Sequence, residues 1–315
     1  MIEVSFVVIA RNEESNIAGA VLSIASLHQL PAFEIVIVND GSTDNTSAQV
    51  ESLAREIQEI RLLSFQVNRG RGAARSAGLA ASKGRLIAFI DADIVLPLDW
   101  WIQTSASILS SDACGGIAVP DGDVSFVHRA LSLKPRVRPH ATSVTGSNGL
   151  FRRAVFDVVS FDEDKRNGED VDLGYRMEAA GLTSISIPWL VVQHNENKSF
   201  LESLLWLYES GVGAANQFVE RKIWRIPDFA TLAFVLVASL AAGLSVTLGS
   251  WLWLSAILFF LLTVSAIHMR GKFLDQLNSI KFLAAIVVQS ILFFSYFSGR
   301  TLGFLLQKIR PIKHA

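Results

Sequence analysis

An α/β domain built on a mostly parallel, Rossmann-like sheet, followed by a helical membrane region, is the fold class that the sequence predicts. Three observations predict it. Short β-rich apolar runs alternate with helical patterns from Val4 to Ile90, the order that builds a parallel sheet covered on both faces. Each run ends in polar side chains: Arg11-Asn12-Glu13, Asn39-Asp40, Asn68-Arg69, and Asp91 with Asp93. From Phe229 through Ile267 no residue is charged. One bilayer crossing takes roughly 20 apolar residues, so this stretch reads as two helices turning at Gly249-Ser250.

Composition narrows the classes. The chain has 315 residues, of which 50% are hydrophobic, enough for one sizeable domain and something more. A net charge of −1 gives no global basic field, and no nucleic-acid partner is expected. The single cysteine, Cys114, excludes an internal disulfide and a cysteine-based zinc site, and reads as a buried thiol. No basic leader precedes Val4–Ile9, which is too short for a signal-peptide core and is expected to be the first strand.

In chain order, Ile17, Val21, Ile24 and Leu27 recur at helical spacing, and Pro31 closes that helix. Glu34–Val38 is a second strand. Asn39–Asp44 is a turn into a helix that faces Val50, Leu53 and Ile57 inward. Leu62–Phe65 is a third strand, Arg71–Ser82 a helix of small residues, and Leu86–Ile90 a fourth strand with the look of one buried on both faces. Thr145–Gly149 is expected to be a flexible loop. Asn167–Arg176 leads into a helix that Gly181 stops.

The polar strand ends carry the functional expectations. In open α/β sheets, ligands bind outside the carboxyl ends of the strands. Asp91-Ala92-Asp93 places two carboxylates there, and a hard divalent cation needs only one or two when substrate phosphates supply the rest. The competing reading has Asp91 capping the next turn and Asp93 solvated. Arg71 and Arg75 are read as diphosphate partners, because guanidinium forks match phosphate oxygens; a solvated helix face competes. Gly70-Arg71-Gly72 with Gly78 has the wrong spacing and the wrong strand for a dinucleotide-binding fingerprint. Glu169, Asp170 and Asp172 open a helix, where the dipole favours carboxylates. They follow Asp162, Glu163 and Asp164 so closely, however, that like charges crowd, and a chemical role for Asp170 is favoured.

Together the I-A-R-N-E-E opening, N-D-G-S-T-D, N-R-G-R-G-A-A-R, D-A-D, G-E-D-V-D-L-G-Y-R and a later histidine resemble the family 2 glycosyltransferases of GT-A fold, over about Val4 to His194. The resemblance implies inverting transfer from a nucleotide-diphosphate sugar. It implies that Asp40 binds the base, and that Ala10, Asn12 and Glu13 help hold the nucleoside side of the donor, with Arg71, Asp91 and Glu169 among the donor contacts. Asp93, with Asp91 and His194, would hold Mg²⁺ or Mn²⁺, and Asp170 would be the general base. Asn39 stands where an aspartate is frequent and Ser76 where an asparagine is common. The Q-x-x-R-W signature of processive synthases is absent after His194; Gln217, Arg221 and Trp224 have its residue types at the wrong spacing. Single-sugar addition is therefore expected.

Residues 1–198 are assigned to the catalytic domain, 199–226 to an amphipathic connector, and 227–315 to the membrane region, with spans near 229–248, 251–267 and 282–306. Phe200, Leu201, Leu204 and Leu205 give the connector its apolar face. Arg221, Lys222 and Arg225 before the first span place the enzyme domain in the cytoplasm, at the inner membrane if the source is bacterial. Arg270, Lys272 and Lys281 agree, whereas Lys308, Arg310 and Lys313 break the rule if the third run crosses. The expected partners are a nucleotide-sugar donor, a lipid-linked or glycan acceptor, and membrane lipid. A catalytically silent nucleotide-sugar-binding scaffold is the alternative; a membrane-tethered dinucleotide oxidoreductase is a third reading, and its glycine spacing is wrong.

Overall fold

The computed structural model describes residues 2–120, 146–195, 199–221, 226–270 and 279–307. The chain divides into two compact units, one of residues 1–123 with 135–196 and one of residues 124–134 with 197–315. They are described in turn.

Unit one is built on an eight-stranded sheet. Strands β1 (Val4–Ala10), β2 (Phe33–Asp40), β3 (Ile60–Phe65) and β4 (Leu86–Asp91) alternate with helices α1 (Ile17–Ala25), α2 (Thr46–Glu56) and α3 (Arg71–Ala81). A two-residue strand β5 (Ile94–Val95), helix α4 (Trp100–Ser107) and β6 (Ala113–Pro120) follow. Then come β7 (Asn148–Arg152), a short helix α5 (Val155–Val158), α6 (Glu169–Ala179) and β8 (Ser184–His194). The spatial order is β3-β2-β1-β4-β7-β6-β8-β5. The β1–β4 half is wholly parallel, whereas β7 runs antiparallel to both β4 and β6 and β5 antiparallel to β8.

This order follows from burial. All of β1 is buried, and its neighbours β2 and β4 are apolar on both faces, so helices must cover both sides. One face packs Phe6, Val8 and Ile37 against Ile17, Val21 and Trp100. The other packs Val7, Ile87 and Phe89 against Phe161, Leu173 and Met177. Ser5 is the polar exception inside β1. Its hydroxyl donates to Glu34 Oε1 (2.7 Å) and accepts the Gly84 N–H (2.7 Å), so its burial leaves no lost hydrogen bond.

One expectation needs correction here. Asn148 and Gly149, expected in a flexible loop, are buried residues of β7; Thr145 lies outside the described residues. Asn148 stays in a strand because its Oδ1 accepts hydrogen bonds from Trp100 Nε1 and the Gly116 N–H, both at 3.1 Å. The glycines of α3 serve packing. A Cβ at Gly78 would come within 2.2 Å of Val7 and one at Gly72 within 2.1 Å of the Asp162 carbonyl, so helix, sheet and the 162–165 segment approach closely.

Unit two is helical: α7 (Phe200–Arg221), α8 (Ile226–Leu248), a 3₁₀ turn at Trp251–Leu254, α9 (Ser255–Arg270) and α10 (Ser279–Gln307). Helices α7 and α10 meet backbone to backbone: a Cβ at Gly211 would lie 2.2 Å from the Tyr296 carbonyl, and one at Gly299 2.0 Å from that of Tyr208. Residues 199–221, expected as a connector, thus belong to the helical unit. Ile226–Leu248 and Ala284–Leu306 are long and apolar enough to cross a bilayer by length and composition. The expected middle span is shorter. Trp251–Leu254 leaves the α-helical path, and the 16 residues of α9 rise about 24 Å, less than the roughly 30 Å of a hydrocarbon core. Lys222, Arg225, Lys272, Lys308, Arg310 and Lys313, which carry the orientation argument, lie outside the described residues, as does Trp224.

Asp228 near the start of α8 and Arg300 on α10 form an ion pair, each 1% exposed at the side chain. Arg300 also donates to the Tyr296 hydroxyl at 2.7 Å. Phe234, Phe260 and Phe297 pack on one another in the same unit.

Candidate active site

Three loops at the carboxyl ends of β1, β2 and β3 are latched together. Asn12 has a left-handed backbone (φ 55°), a conformation that asparagine tolerates better than most residues. Its N–H donates to Ser42 Oγ (2.9 Å), and its Oδ1 accepts the Thr43 N–H (2.8 Å). The Glu13 N–H donates to Thr46 Oγ1 (2.8 Å). Asn39 closes its own turn by accepting the Ser42 N–H (3.0 Å), a task asparagine performs as well as aspartate. Ala10 is buried at the end of β1.

Asp40, expected on a nucleobase, has a prior commitment. Its two oxygens accept the Arg69 N–H (2.6 Å) and the Gly70 N–H (2.9 Å), and the residue is 6% exposed. It fixes the loop after β3, and only its remaining lone pairs face elsewhere.

The centre of the site is Arg75, which the sequence places on a solvated face or against a diphosphate. It does neither, being buried with a side chain 1% exposed. Nε donates to Glu169 Oε1 (2.9 Å), one terminal nitrogen to the Gly146 carbonyl (2.7 Å) and the other to Asp91 Oδ1 (2.8 Å). The end of β4, the entry to β7 and the start of α6 are therefore gathered on one guanidinium. Glu169, expected to touch the donor, is 1% exposed and belongs to this cluster. Asp91, expected on the metal, has one oxygen on Arg75.

Burial disfavours charge on Asp91, but Arg75 and Arg71 outweigh it and hold that carboxyl below its usual range. Glu169 goes the other way. Burial and the adjacent Asp170 raise it, and Arg75 recovers only part of the shift. Arg71, one turn before Arg75, is exposed, and its guanidinium has no hydrogen-bond partner among the described residues.

Asp170 is half-buried, with Oδ2 accepting the Gly146 N–H (3.3 Å) and Oδ1 its neighbour's N–H (2.8 Å). Two residues past Asp91, Asp93 is joined to the far edge of the sheet. The pairing of β5 with β8 sets Ile94 opposite His194, which brings His194 Nε2 to 3.0 Å from Asp93 Oδ2. Asp93 Oδ1 is buried with no hydrogen-bond partner among the described residues. A buried carboxylate oxygen without a donor is costly, and a cation would satisfy it. No group of three or more His, Cys, Asp or Glu able to hold a metal by themselves exists among the described residues. The donor set fits a hard ion that takes its other ligands from phosphate and water.

Of the sequence-predicted residues, Asp91, Asp93, Asp170, Arg71 and His194 lie at this end of the sheet; Gly146, which was not among them, joins the same cluster. The signal was present in the Thr145–Gly149 stretch: a Cβ at Gly146 would lie 2.6 Å from Arg75 Cζ, so only glycine lets the guanidinium reach that carbonyl.

Residues 5–159 match the family model described as "Glycosyl transferase family 2". A pre-mycofactocin glycosyltransferase of Mycobacterium tuberculosis (strain H37Rv) is 28% identical over 209 residues, 61% of this chain and 43% of that protein. Succinoglycan biosynthesis protein ExoO of Rhizobium meliloti is 34% identical over 191 residues, 53% of each chain. This chain thus spans about half the length of these curated relatives. Among solved structures, the mannosyltransferase PcManGT of Pyrobaculum calidifontis, in complex with GDP-Man and Mn²⁺, is similar with a TM-score of 0.61 and 18% identity, covering 97% of this chain and 88% of that one. That likeness establishes the fold.

Proposed function

Because the N-terminal unit carries a glycosyl transferase family 2 domain of GT-A fold, we propose that the chain is a membrane-anchored inverting glycosyltransferase. It moves one sugar from a nucleotide-diphosphate donor to a hydroxyl or phosphate of a lipid-linked or membrane-proximal acceptor. The observation that carries this reading is the convergence on Arg75, which draws the D-A-D and E-D carboxylates, far apart in sequence, to one end of one sheet.

The roles follow from where each side chain lies at the ends of the strands. Asp93 and His194 would hold Mg²⁺ or Mn²⁺, and such an ion neutralises charge developing on a diphosphate leaving group. Arg71, exposed and without a hydrogen-bond partner among the described residues, faces the same leaving group with a guanidinium. The Asn12–Glu13 and Asp40 loops border the nucleoside end. Asp170 accepts the proton of an acceptor hydroxyl as its oxygen bonds to the anomeric carbon and the bond from that carbon to the diphosphate breaks. One displacement inverts the centre without a covalent intermediate. An acceptor phosphate is already ionised and asks less of Asp170. The donors bound by PcManGT (GDP-Man) and by the Staphylococcus aureus TarS fragment 1–349 (UDP-GlcNAc, TM-score 0.53) support the donor class. Helices α8 and α10 support the anchoring, with the lipid acceptor as its corollary.

The test is to incubate membranes holding the full chain with a panel of labelled UDP- and GDP-sugars and Mn²⁺, and to follow label into lipid and polar extracts. Chain-dependent transfer of one sugar is expected. Donor left intact across the panel would overturn the reading.

A further inference from the structure

We propose that Arg75 is a positioning residue for the transfer reaction, one that sets the separation of the base side from the metal side of the site; this rests on the glycosyltransferase reading above. Arg75 is buried and has no exposed edge with which to meet substrate, so it acts through what it holds. Its three acceptors lie on three elements: Asp91 at the end of β4, Gly146 before β7 and Glu169 at the start of α6. Each is close in the chain or by hydrogen bond to a residue with a proposed chemical role. Asp91 precedes Asp93 by two residues, and Glu169 adjoins Asp170. Gly146 is held by its carbonyl on Arg75, and its N–H donates to Asp170 Oδ2. The next carbonyl, of Ser147, accepts the Asp91 N–H at 3.0 Å.

The segment Gly146-Ser147 is thus a bridge pinned to Arg75 and Asp91 on one side and to the carboxylate of Asp170 on the other. A planar guanidinium reaches three acceptors in fixed directions, which a lysine ammonium on a flexible stem does not reproduce. Two reacting groups held apart by such a bridge are sensitive to it: a misplacement of about 1 Å costs roughly 10²-fold in rate.

Two variants probe this without relying on one fold. Arg75→Lys keeps the charge and loses the fork. Gly146→Ala keeps every charge and forces a Cβ to 2.6 Å from Arg75 Cζ and 2.8 Å from its terminal nitrogen, so the fork must shift. The full chain in detergent is assayed for kcat and donor KM with the labelled sugar that the wild type consumes. Calorimetry measures binding of Mn²⁺ with UDP and with GDP. Both variants are expected to lower kcat about 10²-fold, with donor KM and nucleotide binding within about threefold, and to add no further loss in an Asp170→Asn background. A folded Gly146→Ala protein with wild-type kcat overturns the positioning role, as does an equal loss with and without Asp170, the pattern of a purely structural defect. A wild-type chain that consumes no donor overturns the glycosyltransferase reading itself, and the positioning role with it.

Discussion

Each unit buries one arginine among acids, and the two clusters differ in their charge balance. In the helical unit, Arg300 forms an ion pair with Asp228 and donates to the Tyr296 hydroxyl. In the sheet unit, Arg75 faces Asp91 and Glu169 together, and the half-buried Asp170 adjoins them. A matched pair between two apolar helices ties them together. Three carboxylates gathered near Arg75 and Arg71 at the open end of a parallel sheet are the kind of cluster that functional sites use, and the proposed function assigns the surplus to chemistry. Arg71 is exposed and without a hydrogen-bond partner among the described residues, though the charges of Asp91 and Glu169 act on it.

The largest effect should come from the acid that the excess leaves over. Asp170→Asn is expected to lower kcat by about 10²–10⁴-fold, the usual worth of a general base, with Mn²⁺-dependent donor binding unchanged. Asp93→Ala should instead abolish the metal dependence of donor binding, read by calorimetry with Mn²⁺ and nucleoside diphosphate. If Asp170→Asn transfers at the wild-type rate, the carboxylate excess is not catalytic and the contrast between the clusters loses its meaning.

The matched pair predicts loss of stability. Asp228→Leu or Arg300→Met alone leaves a buried charge uncompensated and should cost roughly 3–5 kcal/mol, whereas the double variant should be near neutral or stabilising. Thermal unfolding in detergent, followed by circular dichroism of the helices, reads this cycle. The same treatment of Arg75 and Glu169 should not be neutral, because Asp91 keeps its charge and loses its partner. A neutral result there would make the clusters alike.

Much of this was legible in the sequence where burial is two-sided. β1, β2 and β4 read as continuous apolar runs because helices cover both faces, and the polar residues closing them mark the rim. β5 was not legible, for two residues carry no period. Asn148 and Gly149 looked like a loop because both types are depleted in strands; nothing local shows that the asparagine's amide oxygen accepts from Trp100 and Gly116. Arg75 was misread for a related reason. Its partners lie 16, 71 and 94 positions away, and only the folded chain makes them neighbours. The 3₁₀ turn at Trp251–Leu254, which opens the stretch 251–267, was not legible either, because hydropathy counts apolar residues without seeing backbone geometry.

The smallest effect concerns which acid keeps a proton beside Arg75. Glu169 sits above the usual carboxylate range, chiefly because burial disfavours its charge and then because Asp170 adjoins it, with Arg75 offsetting only part. Its Oε2 is buried with no hydrogen-bond partner among the described residues, which suits a protonated acid. A raised folded value means that the folded state binds this proton more tightly than the unfolded chain does. The resulting stabilisation is complete below the unfolded value of about 4.3 and is lost as pH rises through the raised folded one. Glu169→Gln, neutral at every pH and of the same shape, lacks that dependence. Its melting temperature relative to wild type should therefore climb as pH rises through the raised value, then level. If wild type gains on the variant with rising pH instead, Glu169 is an ionised partner of Arg75, and two full negative charges then stand against one positive charge where Asp228 and Arg300 stand even.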